Sequence, residues 1–307
     1  MTTQSLLKFG ALAFGILSLS ACSSEEEQLL DPSGKSSVEV TVNIPVEFSI
    51  IGGESTRATR PYGTETSTRL RYAVYVNDGN DTGDFLFEGN QSFTGTKTPL
   101  ILQLANGKTY DLILWADAPD SPYTFDAAGK KVTVDYSKMN GSTSNGDAFY
   151  YKYDNLKADA AHSGASVTLT RQVAAVNIVT SGMDASATNY SKGVYTSASF
   201  TANTVFSLID GTISQPQSVT TMVTEAPKDQ TLTVAGTDYS MLSTLYMLAP
   251  AEVTTTDLII NTYNGAPTVS GTGIGATVPA ALNTIPVNAV SIRRNYVTNI
   301  FGSLLKQ

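Results

Sequence analysis

The clearest pattern in the chain is an alternation of apolar and polar residues close to its start. Every second residue over 38–50 is apolar, namely Val38, Val40, Val42, Ile44, Val46, Phe48 and Ile50. A period of two is typical of a β-strand that is buried on one face. Pro45 lies on the other face and has no N–H to donate to a neighbouring strand. The pattern therefore predicts one strand over residues 38–50 at the edge of a sheet.

Shorter apolar or alternating stretches recur along the chain and predict further strands. No window has the sustained period of 3.6 residues that a helix needs. The predicted strands cover residues 70–76, 85–87, 100–104, 110–116, 132–136, 149–153, 167–170, 174–180, 198–209, 232–234, 245–248 and 258–263, with a last apolar segment over 285–305. Strands at this spacing indicate an all-β protein built as a β-sandwich, with Trp115 in its core.

Glycine-containing pairs mark the predicted turns between these strands. Asp78-Gly79, Asp210-Gly211 and Asn264-Gly265 are turn signals, and Asn106-Gly107 is the pair best suited to a tight hairpin. Residues 265–283 contain few large side chains and predict a long loop. We place a domain boundary near Arg171, which divides the body of the chain into an N-terminal domain over 38–170 and a C-terminal domain over 171–307.

The first 37 residues have the pattern of an export signal followed by a tether. Lys8 precedes an apolar run that is too short to span a bilayer as a permanent helix, and small residues follow it. The run ends in Leu19-Ser20-Ala21-Cys22, which is similar to a bacterial lipobox. Residues 1–21 are then a signal peptide, Cys22 carries the acyl chains that anchor the protein, and residues 22–37 are a flexible tether. The alternative is a secreted protein with a stray cysteine in its signal peptide.

Composition narrows the function further. The net charge is −8, and the 19 Lys and Arg residues do not cluster, which argues against binding to nucleic acid. Only 15% of residues are charged, and threonine is abundant, as is typical of an extracellular β protein. With one cysteine and one histidine, the chain lacks the residues for an internal disulfide or a cysteine-rich zinc site. We see no nucleophile–base pair and expect no enzyme activity.

The remaining candidate sites have simpler structural interpretations. His162 has no second histidine or cysteine to complete a metal site or a catalytic triad, and we expect it in a surface loop. The glycine-rich stretch 271–275 lacks the lysine of a phosphate-binding loop. Residues 77–84 carry many oxygens, but the twelfth position of a calcium loop counted from Asp78 would be Gly89 and not the required Glu. A solvated hairpin is therefore favoured, and calcium is left open. We predict no cofactor and no metal, and we interpret most tyrosines as β-sheet packing.

Two longer motifs give the chain a family resemblance. Residues 169–178 contain the sequence Arg-Gln-Val-Ala-Ala-Val-Asn, and residues 294–300 read Arg-Asn-Tyr-Val-Thr-Asn-Ile. Together with the lipobox, the alternating first strand and the arginine-containing loop after it, they resemble the fimbrillin-like (type V pilin) family of Bacteroidales. Glu25, Glu26 and Glu27 just after Cys22 are similar to the surface-export signal of Bacteroidetes lipoproteins.

The resemblance implies both a fold and a mode of assembly. Family members are outer-membrane lipoprotein precursors with two transthyretin-like β-sandwich domains in tandem. In members that polymerise, an Arg-specific protease cuts after the first strand, and a strand from another fimbrial subunit fills the vacated groove. Here the loop over 52–61 offers Arg57-Ala58 as the cleavable bond, since Pro61 makes Arg60 a poor site. The mature subunit would begin at Ala58 and belong to a fimbrium.

Two questions remain open from the sequence. Shaft subunits of the family end in a segment that serves as the donor strand, whereas only residues 297–307 follow the second motif here. The last strand is either itself a donor, or the subunit accepts a strand and donates none. The alternative function is a monomeric, surface-exposed lipoprotein that keeps its first strand and binds a glycan or a host protein.

Overall fold

The computed structural model describes residues 34–45, 47–50, 67–77, 79, 82–159, 163–181, 188–269 and 276–305. Within these ranges the chain is β-structure apart from loops and two short 3₁₀ turns at Tyr136–Lys138 and Thr188–Tyr190. Neither of these turns is long or apolar enough to cross a membrane. The predicted all-β class is confirmed. Several positions singled out from the sequence lie outside the described residues, namely Cys22, Val46, Arg57, Ala58, His162 and 271–275.

Twenty-two strands make up the described structure. In the first half they are β1 (Lys35–Asn43), β2 (Ser49–Ile50), β3 (Ser67–Asn77), β4 (Thr82–Thr94), β5 (Lys97–Ala105), β6 (Thr109–Asp117), β7 (Tyr123–Asp126), β8 (Lys131–Val134), β9 (Ala148–Lys157), β10 (Ala165–Thr168) and β11 (Thr170–Arg171). In the second half they are β12 (Val173–Thr180), β13 (Val194–Ser207), β14 (Ile213–Thr220), β15 (Thr224–Glu225), β16 (Thr231–Val234), β17 (Thr237–Leu248), β18 (Thr254–Asn264), β19 (Thr268–Val269), β20 (Ala276–Thr277), β21 (Asn283–Ile292) and β22 (Tyr296–Gly302).

Four larger sheets organise these strands. The first has the order β10-β1-β5 and the second β11-β9-β6-β3-β4, and their facing side chains form one hydrophobic cluster. The third has the order β16-β17-β12-β22-β2, and the fourth has the order β21-β18-β13-β8-β7, with β14 and β15 also paired to β13. A second, larger cluster fills the space between the third and fourth sheets. Strands β19 and β20 form a two-stranded sheet of their own within the predicted long loop.

The central strand of the second sheet, β6, is buried on both of its faces. Along β6, Leu112 and Leu114 point into the first cluster, while Ile113 and Trp115 point into the second. This explains why the sequence of β6 is a continuous apolar run rather than an alternation, because neither side of the strand meets water. The same sheet therefore serves as a wall of both clusters.

The first half of the chain also contributes strands to the sheets of the second half. The hairpin of β7 and β8 comes from the first half, yet β8 pairs with β13 of the fourth sheet, with Val132 opposite Phe206. The ring of Trp115 lies 5.4 Å from that of Tyr123 on the hairpin and 5.3 Å from that of Phe206. Aromatic contacts thus join the halves, and the predicted boundary near Arg171 stays a prediction.

The strand predicted over 38–50 is present as two strands in two different sheets. Strand β1 lies between β10 and β5, so the predicted edge position is wrong for β1, whereas β2 lies at the end of the third sheet. Pro45 follows β1 and lies between it and β2, because a residue without an N–H ends the ladder instead of continuing it along an edge. Strand β1 begins at Lys35, within the predicted tether, because its backbone pairs with β5 from Lys35 opposite Ala105 onward.

The glycine turns have mixed outcomes. Strands β13 and β14 form a hairpin at Asp210-Gly211, as predicted. Strands β3 and β4 pair antiparallel up to Asn77 opposite Thr82, whereas Asp78 of the predicted turn lies outside the described residues. The hairpin predicted at Asn106-Gly107 is wrong, because β5 belongs to the first sheet and β6 to the second. The chain does turn there, with Gly107 at a φ of 69°, but the turn carries it from one layer of the sandwich to the other.

Candidate functional site

The strand β1 is the middle member of its three-stranded sheet. It pairs antiparallel with β5 from Lys35 to Asn43 and parallel with β10 from Val40 to Asn43. Among the described strands, β5 and β10 have no other link within this sheet than β1. The position of β1 is therefore a slot between two strands, and its backbone hydrogen bonds hold both sides of the slot together.

The apolar face of β1 is completely enclosed. Val38, Val40 and Val42 are 0% exposed and Ile44 is 4% exposed. These four side chains pack in the first cluster among the leucines of β5 and the apolar residues of the second sheet. Four members of the predicted face thus share one groove, as the alternation requires.

Phe48 and the strand β2 lie at the third sheet and the second cluster. Phe48 packs against the second cluster, and β2 pairs in parallel with β22 of the third sheet. The N–H of Ser49 donates to the carbonyl of Asn295 at 2.9 Å. The segment 35–50 therefore crosses from the first sheet to the third and contacts both clusters.

A buried arginine, Arg171, binds the segment between β1 and β2, which is called the crossing segment below. Arg171 is 1% exposed, and its Nη1 donates to the carbonyl oxygen of Glu47 at 2.8 Å and to Oδ1 of Asn295 at 3.0 Å. Its Nη2 donates to the carbonyl of Pro45 at 3.4 Å, and its Nε donates to Oδ1 of Asp147 at 2.8 Å. Four hydrogen bonds thus fix one planar guanidinium, and two of their acceptors are carbonyls of the crossing segment.

Aromatic rings complete the surroundings of this guanidinium. Its central carbon lies 3.8 Å from the centre of the Phe48 ring and 4.6 Å from that of Phe149. Both distances are well within the range of cation–π attraction, which is strongest where water is excluded. The Phe48 ring also lies 6.3 Å from that of Tyr246 of β17, so Phe48 connects Arg171 to the second cluster.

Asp147 supplies the charge that Arg171 needs. Its side chain is 2% exposed, and Oδ1 also accepts from the N–H of Ala148 at 3.0 Å. Burial raises the pKa of the Asp147 carboxyl, and the positive charge of Arg171 opposes that rise. A charge this deeply buried is tolerated only with a hydrogen-bonded partner, so each residue of the pair depends on the other.

Asn295 brings the two sequence motifs together. It has a φ of 62°, a left-handed conformation that asparagine tolerates better than most residues. Its N–H donates to the carbonyl of Val173, its carbonyl accepts from Ser49, and its side chain accepts from Arg171. The start of the first motif and the start of the second therefore meet at the crossing segment.

A second contact links the same motifs further along their strands. Strands β12 and β22 run parallel, with Asn177 opposite Asn299. The Nδ2 of Asn177 donates to Oδ1 of Asn299 at 2.9 Å, and Oδ1 of Asn177 accepts from the hydroxyl of Thr244 at 2.9 Å. These bonds satisfy polar groups within the third sheet and hold β22 against β12.

The sequence did not identify Arg171, Asp147 or Asn295 as members of one site. Both motifs were noticed, but no role was assigned to these side chains. One feature of the sequence indicates a buried ion pair, namely that Arg171 lies two residues before the apolar run of β12. A charge that is buried at such a position needs a partner, since an unpaired charge is rarely buried. Arg57, Ala58 and Cys22 lie outside the described residues, so their processing and lipidation stay predictions.

The hairpin between β3 and β4 was the other candidate. Asp111 accepts from Nδ2 of Asn77 at 2.6 Å, from Oγ1 of Thr82 at 2.8 Å and from the N–H of Asn155 at 3.1 Å. The ammonium group of Lys152 also lies 3.8 Å from Oδ2 of Asp111, so the carboxylate has three hydrogen-bond donors and a charged partner within the protein. The part of the chain that the structure describes contains no group of three or more His, Cys, Asp or Glu side chains arranged to bind a metal.

The tyrosines of the first half serve mainly as packing, as predicted. Tyr75, Tyr110, Tyr123 and Tyr150 are all buried. The hydroxyl of Tyr75 donates to the carbonyl of Ala127 at 2.6 Å, which anchors the hairpin of β7 and β8 to the second sheet. Buried tyrosines normally find such a partner for the hydroxyl.

Several solved structures are similar to this one. A candidate cell adhesion protein from Parabacteroides distasonis is 13% identical, with a TM-score of 0.49, covering 87% of this chain and 89% of that chain. A candidate adhesin from Bacteroides thetaiotaomicron is 14% identical, with a TM-score of 0.45, covering 83% and 82%. The fimbrial anchor protein Mfa2 from Porphyromonas gingivalis is 15% identical, with a TM-score of 0.38, covering 73% and 78%. At these TM-scores the folds superpose only in part, and no function follows from the likeness.

Sequence comparison gives a clearer assignment. None of the curated proteins matches this chain. The model of one family matches residues 32–307, which include every described strand and both motifs. The chain therefore belongs to that family, DUF6562, which is described as a family of unknown function.

Proposed function

We propose that this chain is a structural or accessory subunit of a cell-surface fimbria, and not an enzyme. It is exported as a lipoprotein precursor anchored through Cys22 to the outer membrane. An Arg-specific protease cuts after Arg57, the segment that contains β1 and β2 leaves, and a strand from another fimbrial subunit takes its place. The single observation that carries the proposal is the position of β1 as a middle strand with a fully enclosed apolar face.

The energetics of the slot favour exchange over simple loss of the strand. Four buried aliphatic side chains contribute about 6–12 kcal/mol of hydrophobic stabilisation as an upper estimate. A vacated slot would also leave the facing edges of β5 and β10 without their hydrogen-bond partners. Open edges beside an apolar groove are a template for another strand. The released precursor segment would therefore be replaced rather than left missing.

The location of the predicted cut suits this mechanism. Strand β2 ends at Ile50, and β3 of the body begins at Ser67. A cut after Arg57 falls between them and separates the whole of β1 and β2, together with the lipid, from the rest of the chain. Every other strand of the four sheets remains on the body side of that bond.

The pairing of β22 supports an accepting role. It runs parallel to β12 from Val297 to Gly302, and Val297 is buried in the second cluster. If β22 left to act as a donor, β12 would lose its parallel neighbour and the second cluster would lose Val297. We therefore propose that this subunit accepts a strand and keeps β22 in its own third sheet.

Limited proteolysis tests the proposal directly. The soluble chain from Ser23 is treated with an Arg-specific protease, next to an Arg57→Ala variant, and the intact mass is followed over time with a semi-denaturing gel. We expect a product that starts at Ala58 and takes up an added peptide with the sequence of residues 35–50. The Arg57→Ala variant should stay uncut at this position.

Two results would overturn the proposal. One is a native chain that resists cleavage at Arg57, and the other is a cleaved chain whose first segment never exchanges. Either result favours the monomeric surface lipoprotein that keeps its first strand. A melting shift with added glycan or host protein would then identify its ligand.

A further inference from the structure

The seat of the segment 35–50 has two parts with different chemistry. The first part, around β1, is apolar and encloses four aliphatic side chains. The second part is a buried cation, Arg171, which contacts the segment through the carbonyls of Pro45 and Glu47 and through the ring of Phe48. A segment that binds here therefore needs aliphatic side chains for the first part, and carbonyl oxygens and an aromatic ring for the second.

Arg171 would be only partly satisfied in a vacated seat. Its bonds to Asp147 and Asn295 and its contact with Phe149 come from the body of the protein and would remain. Two acceptors and one aromatic face would be lost. Any incoming backbone can restore carbonyl acceptors, but only an aromatic side chain can restore the second ring over the guanidinium.

The register of the segment fixes where this ring must be. Strand β1 is aligned by nine residue pairs with β5, and β2 is aligned by Ser49 opposite Tyr296 of β22. Among the side chains that the structure describes, Ile44 is the fourth aliphatic one enclosed in the first cluster, and Phe48 follows four positions later. A shift of one residue would turn every apolar side chain to the wrong face, and a shift of two would move the ring away from Arg171.

We infer that Arg171 selects the partner strand, an inference that rests on the strand exchange proposed above. The occupant is an extended segment of another fimbrial subunit with four alternating aliphatic residues. A break in the ladder follows, and then an aromatic residue four positions after the fourth of these aliphatic residues. The aliphatic residues fill the slot between β5 and β10, and the aromatic residue covers the guanidinium. The interaction surface is therefore a mixed groove and not a purely apolar one.

Peptide exchange into nicked protein tests this inference. A sequence-specific protease site is inserted between Arg57 and Ala58, so that nicking does not depend on the native bond. Fluorescent peptides with the sequence of residues 35–50 then compete with the resident segment. The series contains the native peptide, Phe48→Tyr, which keeps a ring, and Phe48→Leu, which keeps an apolar side chain without one. A Val40→Asp peptide is the control for the aliphatic slot.

We expect the native and Phe48→Tyr peptides to enter equally well and the Phe48→Leu peptide to enter about tenfold more weakly. The Val40→Asp peptide should not enter. In a body that carries Arg171→Met with Asp147→Asn, which removes the ion pair as a whole, the preference for the ring should disappear.

The outcomes separate the inference from the proposed function. Equal entry of the native and Phe48→Leu peptides would overturn the role of Arg171 and leave strand exchange intact. A ring preference that persists in the doubly substituted body would assign the selection to Tyr246 and also overturn it. If no peptide enters, strand exchange itself fails, and both the inference and the proposed function fall.

Discussion

Arg171 and Asp147 form an ion pair of 2.8 Å in which neither side chain is more than 2% exposed. Removing one partner of such a pair leaves an uncompensated buried charge, whereas removing both does not. We expect Asp147→Asn to lower the free energy of unfolding by about 3–5 kcal/mol in urea denaturation at pH 7. The double variant Arg171→Met/Asp147→Asn should lose clearly less than the sum of the two single variants.

An exposed pair provides the control for that cycle. Lys131 and Asp126 lie 4.0 Å apart with both side chains more than two fifths exposed. Lys131→Met should change the free energy of unfolding by less than about 1 kcal/mol. Additive losses at Arg171 and Asp147 would mean that the two residues stabilise the protein independently, contrary to this expectation.

Buried tyrosines make the protein sensitive to alkali. The hydroxyl of Tyr150 donates to the carbonyl of Leu208 at 2.7 Å, and burial raises the pKa of Tyr150 above its ordinary value of about 10. The unfolded chain then releases this proton at a lower pH than the native protein does. The free energy of unfolding should therefore fall as the pH rises above about 10.

Tyr150→Phe separates the hydrogen bond from the titration. At pH 7 the variant should be less stable by about 1 kcal/mol, because the carbonyl of Leu208 loses its donor. Above pH 10 the difference from the wild type should shrink, since phenylalanine has no proton to release. Urea denaturation at a series of pH values measures the free energy of unfolding of both proteins. If their difference stays constant up to pH 11, the alkaline loss of stability does not come from Tyr150.

Trp115 is the only tryptophan in the sequence and reports on the junction of the two halves. Its ring contacts Tyr123 and Phe206, and its indole Nε1 donates to Oδ2 of Asp117 at 3.0 Å. Trp115→Phe should lower the free energy of unfolding by about 2 kcal/mol, because volume and a hydrogen bond to a buried carboxylate are both lost. Phe85→Leu, at a side chain that is 38% exposed, should cost no more than about 0.5 kcal/mol. If both variants lose the same free energy of unfolding, the contacts of Trp115 do not stabilise the junction of the two halves.

The left-handed backbone conformation at position 295 destabilises most residue types that could replace asparagine there. Asn295→Gly and Asn295→Ala both remove the acceptor that Arg171 uses. Alanine is also strained at a φ of 62°, whereas glycine is not. We therefore expect the free energy of unfolding of the alanine variant to be lower than that of the glycine variant by about 1 kcal/mol. Thermal unfolding of both variants measures this difference, and an alanine variant as stable as the glycine variant would show that the backbone has relaxed.

Much of the fold follows from local patterns in the sequence. The period of two placed Val38, Val40, Val42 and Ile44 on one buried face, and the structure encloses all four. Apolar runs located most of the longer strands. Strand β14 is not predicted, because its sequence is mostly polar and its residues are largely exposed. It is held by its pairing with β13 and by Ile213 and Val219, which pack against the second cluster.

The assignment of strands to sheets could not be read from such patterns. Alternation across Pro45 continues without a break, although the chain changes sheets there. Asn106-Gly107 permits a tight turn whether the next strand pairs with the previous one or crosses to another layer. The pairing of β8 with β13 depends on residues more than seventy positions apart.

The site around Arg171 was the least predictable feature. Its partners Pro45, Asp147 and Asn295 come from three distant parts of the chain. Nothing in a single sequence indicates that they meet, and an arginine beside an apolar run is usually solvated at a strand end. The charge is buried here because the crossing segment covers it from the side of Phe48.

The hairpin of β7 and β8 has a consequence for synthesis of the chain. Val132 lies opposite Phe206, so its partner is made only after about seventy further residues have been added. Until then, the side of the second sheet that carries Trp115 is not covered by β13. An N-terminal portion that emerges first from the ribosome thus exposes an aromatic surface, and complete burial of Trp115 must wait until β13 has been made.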